Sequence, residues 1–330
     1  MHITQSLSGL SDRSLRRATR IAAVALVLGV PLVVGFYWLD RHPSPGLPLA
    51  ERNIAAAEEA VRQSPNDLAA RNHLAAAYVS AKRFTDAISQ FGQVLDADPG
   101  NRAARLGRGL AYLAAAQLDP AKIDAAQVDL ARGDFQTFVD AAKAGEFAAT
   151  DPQLEQAYYE LGVVALLQGR PADAVIALSE ALKINGGDAD ALYSLGTALI
   201  QTNDAAKGVA ALRKAVAFVP SGWCDPYRGL KDGYAATGDT AGTQWAGGMV
   251  AACEGRLAEA RAALQPLTTG PMQVDALIGL ALVSAAAGDT VAAANLYRQV
   301  LALEPGNTSA SIGLGQLGPV QSPAPQGSPR

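Results

Sequence analysis

The sequence predicts an all-α protein: an α-solenoid of stacked helix pairs behind one N-terminal transmembrane helix. Three observations predict it. Apolar helix patterns close on Pro65 and Pro99, 34 residues apart, and a further helix pair closes between Gly186 and Pro220, again 34 apart. A fixed period of that length marks two-helix repeats. Hydrophobic residues make up 49% of the 330, much of it alanine, while aromatics are only 6%. Small side chains with few rings suit closely packed helices, whereas sheets favour β-branched and aromatic residues. Finally, Ile21 to Leu39 reads IAAVALVLGVPLVVGFYWL, with no charge in it.

From the N-terminus, residues 1–20 read as a basic cytoplasmic tail: Arg13, Arg16, Arg17 and Arg20 against Asp12 give +3, leaving −7 of the net −4 for the remainder. Residues 21–39 match the roughly 20 apolar residues that cross a bilayer core. Tyr37 and Trp38 fall at its edge, where amphipathic rings favour the headgroup zone. Four arginines before the segment, against Arg41 just after it, place the N-terminus in the cytoplasm and residues 40–330 outside. The run is longer than a signal-peptide core and ends in FYWLDRHPSP, without a small-x-small cleavage site. Residues 40–50 are a Pro-rich linker, 51–312 the solenoid, and 313–330 a tail of Pro, Gly, Ser and Gln expected to be disordered.

The units align slot by slot. The first, 68–101, places Leu74, Ala75, Tyr78, Ala87, Phe91 and Pro99 at slots 7, 8, 11, 20, 24 and 32; the second, from Arg102, has Gly109 and Tyr112 at slots 8 and 11. Unit 155–188 carries Leu161, Gly162, Ala174 and Leu178; unit 189–222 carries Leu195, Gly196, Leu212 and Pro220; unit 274–307 carries Leu280, Ala281, Ala293, Tyr297 and Pro305. Small residues at slots 8 and 20 let two helices touch, large ones fill the space between units, and proline stops the second helix. This pattern resembles the tetratricopeptide repeat (TPR) family over about 51–310.

The departures from the period are also informative. The second unit holds an insertion of about 118–152, read as an extended helix from about Pro120 to Lys143 and a loop. Pro220 to Pro305 spans two and a half periods, which requires one odd helix within 240–268; helices are expected near 225–237, 240–253, 256–267, 273–287 and 289–303. Asn53–Gln63 reads as the cap of the array.

The chemistry-bearing residues are few. Histidines are His2, His42 and His73, with no Cys-x-x-Cys-His, so no catalytic residue, metal site or cofactor is expected. Asp151, Glu155 and Glu160 read as solvated helix carboxylates. GLGQLG at Gly313–Gly318 matches a dinucleotide-binding glycine pattern, but it trails the last helices instead of following a strand. The two cysteines, Cys224 and Cys253, leave two readings. In strict register they lie roughly 18 Å apart on parallel helices, too far to bridge. With the odd helix they share one end of an antiparallel hairpin, where a bridge would close a loop worth about 3 kcal/mol.

In TPR proteins the first helix of each unit lines a concave groove. The resemblance therefore implies a partner-binding groove of Asn72, Leu106, Tyr159, Tyr193 and Arg228, with Ala76, Leu110, Val163, Thr197 and Asp232 one turn on. The Lys/Asn/Arg set with which some family members clamp a peptide carboxylate is missing. The expected function is a membrane-anchored extracytoplasmic scaffold or assembly factor, as in cytochrome c maturation, pilus or secretion assembly, or envelope upkeep. The alternative is a stoichiometric structural subunit of a membrane redox or secretion complex. Protein partners and the membrane are expected. The mildly acidic body argues against nucleic acid, and neither a small-molecule substrate nor enzyme activity is expected.

Overall fold

The computed structural model describes residues 48–119, 121–218 and 222–317. The transmembrane expectation for 21–39, the basic tail and most of the linker lie outside the described residues. Among the described residues, no helix is long and apolar enough to cross a membrane.

Fifteen α-helices follow one another along the described chain. They are α1 (Leu49–Gln63), α2 (Leu68–Ser80), α3 (Phe84–Ala97), α4 (Arg102–Ala116), α5 (Ala125–Ala142), α6 (Pro152–Leu167), α7 (Pro171–Ile184) and α8 (Ala189–Gln201). Then come α9 (Ala205–Phe218), α10 (Asp225–Thr237), α11 (Thr240–Cys253), α12 (Leu257–Leu264), α13 (Gln273–Ala286), α14 (Thr290–Leu303) and α15 (Thr308–Gln316). Each packs on the next, and α2, α4, α6, α8 and α10 also touch in series as the first helices of successive units. This is an all-α solenoid.

Local sequence explains the starts and stops. The first helices α2, α4, α6 and α8 open on side-chain caps: Asp67 accepts from the amides of Ala69 and Ala70, Asn101 from Ala104, Asp151 from Gln153 and Leu154, and Asp188 from Asp190 and Ala191. Each cap contributes about 1 kcal/mol. The insertion helix begins later than the expected Pro120, because Asp124 caps the amides of Ala126 and Gln127 and its own N–H donates to the Ala116 carbonyl. At the far end α15 runs to Gln316, beyond the boundary expected at 312. Gly313 lies within it, packed under the Tyr297 ring, so this glycine serves helix packing.

Where paired helices are joined by a short turn, the chain passes through one left-handed residue. Gly169, Gly238, Gly255 and Gly288 fill that position with positive φ, but Lys82 (φ 59) and Asn203 (φ 64) fill it in the α2–α3 and α8–α9 turns. A Cβ there is unfavourable. Lys82→Gly is expected to raise stability by about 0.5–1 kcal/mol, read as a higher urea midpoint; a lower one would refute it.

The core is a series of clusters, one between each set of neighbours. Ile54, Leu74, Tyr78 and Phe91 fill the first, and Leu106, Phe135, Phe138 and Leu154 the second. Ala174, Leu178 and Ala191 continue it between α6 and α8. In the second cluster Asp134, only 5% exposed, accepts from both Arg108 nitrogens at 2.8 Å, which ties α5 to α4.

The period breaks at α10–α12. There α11 packs antiparallel on α10, yet also touches α13 across α12, so it serves both as a second helix and as a first. The slip draws α9, α10, α11 and α13 around one buried residue, Trp245, with Tyr227 and Tyr234 edge-on to its ring. Arg213 of α9 clasps the group. It lies over the Trp245 ring, donates to the Tyr234 hydroxyl at 2.9 Å, and pairs with Asp275 of α13 at 2.9 Å.

Candidate partner-binding groove

The first helices α6 and α8 lie side by side, and the two tyrosines expected at groove positions sit on them. Tyr159 is half-buried; its hydroxyl is hydrogen-bonded with Ser194 of α8. Burial, followed by the charges of Asp190, Glu160 and Asp188, pushes the phenol up to about 12. Tyr193 is also half-buried and meets the ring of Trp223 edge-on, centroids 5.2 Å apart. Its phenol is raised mainly by burial. Thr197, one turn on, donates its hydroxyl to the Tyr193 carbonyl at 3.1 Å.

The other expected groove residues differ. Leu106 is 6% exposed and packs inside the second core cluster, which α4, α5 and α6 share; it is core, not groove lining. Leu110 and Val163 are partly buried against the same cluster. Asn72 donates to Asn101 Oδ1 at 3.1 Å, joining α2 to the cap of α4. Arg228 pairs with Asp225 at 2.6 Å and Glu254 at 2.7 Å at the open end of the α10–α11 hairpin. Ala76 is exposed in a hollow between α1 and α2, and Asp232 is exposed on α10.

The cysteines meet. Cys224, the residue before α10, is disulfide-bonded to Cys253, the last residue of α11, with Cα atoms 5.6 Å apart. The odd helix is what makes this possible, since it turns α11 antiparallel to α10. The strict-register reading is excluded.

Glu155 and Glu160 are not solvated carboxylates. Burial raises the Glu160 carboxyl to about 7. Glu155 is raised by burial and by a hydrogen bond to the neighbouring Asp188 carboxyl. Asp190, Glu160 and Asp188 form an acidic rim beside Tyr159, and Glu155 adjoins it through Asp188. The spacing of Glu155 and Glu160 on α6 was legible in sequence; the packing of α8 over that face was not.

Glu160 has a pH consequence. An acid whose folded pKa lies above its unfolded value of 4.5 holds a proton that the unfolded chain has released. Its contribution is therefore complete below about pH 4.5 and is lost as pH rises through about 7. The loss, discounted for partial exposure, is on the order of 2 kcal/mol. Glu160→Gln is expected to flatten thermal stability between about pH 5 and about pH 8; an unchanged profile would show that Glu160 is ionised throughout.

Among the described residues, no group of three or more His, Cys, Asp or Glu side chains is placed to hold a metal ion. The arrangement is a row of half-buried rings and carboxylates on neighbouring helices. A solenoid of helix pairs with such a face defines a helical-repeat interaction protein. Two family models, each described as tetratricopeptide repeat, match residues 78–134 with 165–231 and 51–101 with 120–189. Together they run without a gap from 51 to 231, more than half of the chain, and the chain belongs to the tetratricopeptide-repeat family.

Solved structures similar to it include a MamA protein (22% identity, TM-score 0.47, covering 58% of this chain and 94% of that one). Another is a tetratricopeptide repeat protein from Parabacteroides merdae (13%, TM-score 0.45, 81% and 92%). A third is YrrB, described as a TPR protein with an unusual peptide-binding site (14%, TM-score 0.41, 78% and 96%). No curated protein matches the chain.

Proposed function

We propose that this TPR protein is a membrane-anchored extracytoplasmic scaffold, or assembly factor, that gathers protein partners along its solenoid. Roles in cytochrome c maturation, in pilus or secretion assembly, or in assembling envelope complexes fit such a scaffold. The observation that carries the reading is the Cys224–Cys253 bridge. Disulfides persist in oxidising compartments and are rare in the cytosol. That agrees with the charge pattern around residues 21–39, which puts the repeats outside. The partner face we assign is the α6–α8 groove, where Tyr159 and Tyr193 offer rigid, amphipathic anchors of the kind that dominate interfaces.

The test is a pull-down from gently solubilised native membranes, run beside a Tyr159→Ala/Tyr193→Ala variant. The double variant is expected to lose at least 2 kcal/mol of partner affinity, roughly 30-fold. Retention of the same partners at the same affinity would remove the groove from the proposal. Thiol labelling in intact cells tests the location: two freely alkylated cysteines would contradict it.

A further inference from the structure

We propose that copies of this chain join head to tail, with α15 of one copy seated between α1 and α2 of the next, as the first helix that α1 lacks. The contact uses the two ends of the solenoid and does not depend on the Tyr159–Tyr193 groove.

Each end shows half a repeat unit. Among the described residues, α1 stands in second-helix register with no first helix before it, and α15 stands in first-helix register with no second helix after it. The 34-residue period shows what each half lacks. Phe91 and Val94 of α3, at 4% and 0% exposure, are buried in a cluster shared with α2. One period earlier, on α1, stand Ala57, only half-buried, and Ala60, exposed. Ala104 and Ala111 of α4 are fully buried in the same cluster. Their counterparts on α2, Ala70 and Ala77, line a hollow of about 740 Å³ together with Ala57 and Ala60. By register, that hollow is the seat of a first helix.

The other end offers the matching piece. Gly315 of α15 falls at slot 8, where the second helix of a complete unit packs. A Cβ on Gly162 or Gly196, at the same slot, would run into Leu178 or Leu212, whereas one on Gly315 meets nothing within 4 Å. The helix reads TSASIGLGQ, so no charge is desolvated when it enters the hollow. A plain cap would turn a polar outer face to solvent, but alanine makes up most of the open face of α1, with Asn53 as its polar member. The flanking sequences do not supply the missing helices. They read DRHPSPGLP before α1 and GPVQSPAPQGSPR after α15, and proline opposes helix interiors. A second copy does supply them, because α15 laid on its α1 makes one complete unit and the period runs on across the junction. Such a contact between unlike ends is heterologous, so it closes into a ring or continues as an open array.

The experiment follows sedimentation of the full chain in mild detergent over a concentration series. Wild type is expected to form dimers and larger species as concentration rises. Ala60→Arg blocks the seat and Gly315→Arg blocks the inserting helix; both positions are exposed, and unchanged melting curves check the fold. Each variant alone should need at least about tenfold higher concentration to associate. Mixed in equal amounts, the two should form a dimer and stop there, because each supplies the end that the other lacks. Tyr159→Ala/Tyr193→Ala should assemble as wild type does. A monomeric wild type, as would follow if residues of the same chain filled the seat, overturns the proposal. So do single variants that assemble like wild type, a mixture of correctly folded variants that stays monomeric, or a tyrosine variant that no longer assembles.

Discussion

Replacing Cys224 and Cys253 with serine is expected to destabilise the α10–α11 region by about 3.5 kcal/mol, the chain-entropy cost of opening a loop of this length. The bridge spans 29 residues and closes the open end of an antiparallel hairpin. That hairpin is where the solenoid loses its period, and it packs against α9 and α13 around Trp245. The Arg228–Glu254–Arg256 ion pairs at the same end are well exposed and add little. In a repeat array, stability is distributed unit by unit. The loss should therefore appear as faster amide exchange in α10 and α11, with α2–α4 unchanged. Trp223 precedes Cys224 and touches Tyr193, so tryptophan emission should shift on reduction as well. Uniform loss of protection along the chain would mean that the bridge stabilises the whole array cooperatively. No loss at all would mean that packing around Trp245 suffices without it.

How much of this was legible beforehand depended on whether a residue acts within its own helix pair or across several. The 34-residue period, the small residues at Gly162 and Gly196 and the helices at 225–237 and 240–253 are local, and the structure has them where the spacing puts them. The bridge was legible only as one of two readings, because it turns on helix direction. Leu106 was misplaced for a related reason. Its slot is a groove slot in a regular unit, but here it is buried in a cluster shared by α4, the insertion helix α5 and α6. The raised Glu155 carboxyl depends on its burial and on Asp188, the residue that caps α8. The Arg213–Asp275 pair joins residues 62 apart and has no sequence signature. The helix expected near 256–267 ends as an α-helix at Leu264 and gives way to a 3-10 turn at Gln265–Leu267.

Gly208→Val is expected to cost about 3 kcal/mol, at the upper end of overpacking substitutions, and to loosen the α8–α9 pair. These two helices approach each other backbone to backbone at Gly196 and Gly208. A Cβ built on Gly208 would stand 2.8 Å from the carbonyl oxygen of Gly196 and 2.7 Å from Ile200. The first of those neighbours is backbone, so relief requires the helices to separate. Separation would in turn uncover Leu212, which is fully buried between them, and shift α8, which carries Tyr193 and Thr197. The effect should therefore reach the groove: the variant should melt earlier and also bind partners more weakly than its stability loss alone explains. Gly92 in α3 supplies the control. A Cβ there meets nothing within 4 Å, so Gly92→Ala should stabilise its helix by up to about 1 kcal/mol. If Gly208→Val melts with wild type while Gly92→Ala behaves as expected, the close contact of α8 and α9 is not what holds the unit together, and the role given to small residues at slots 8 and 20 fails with it.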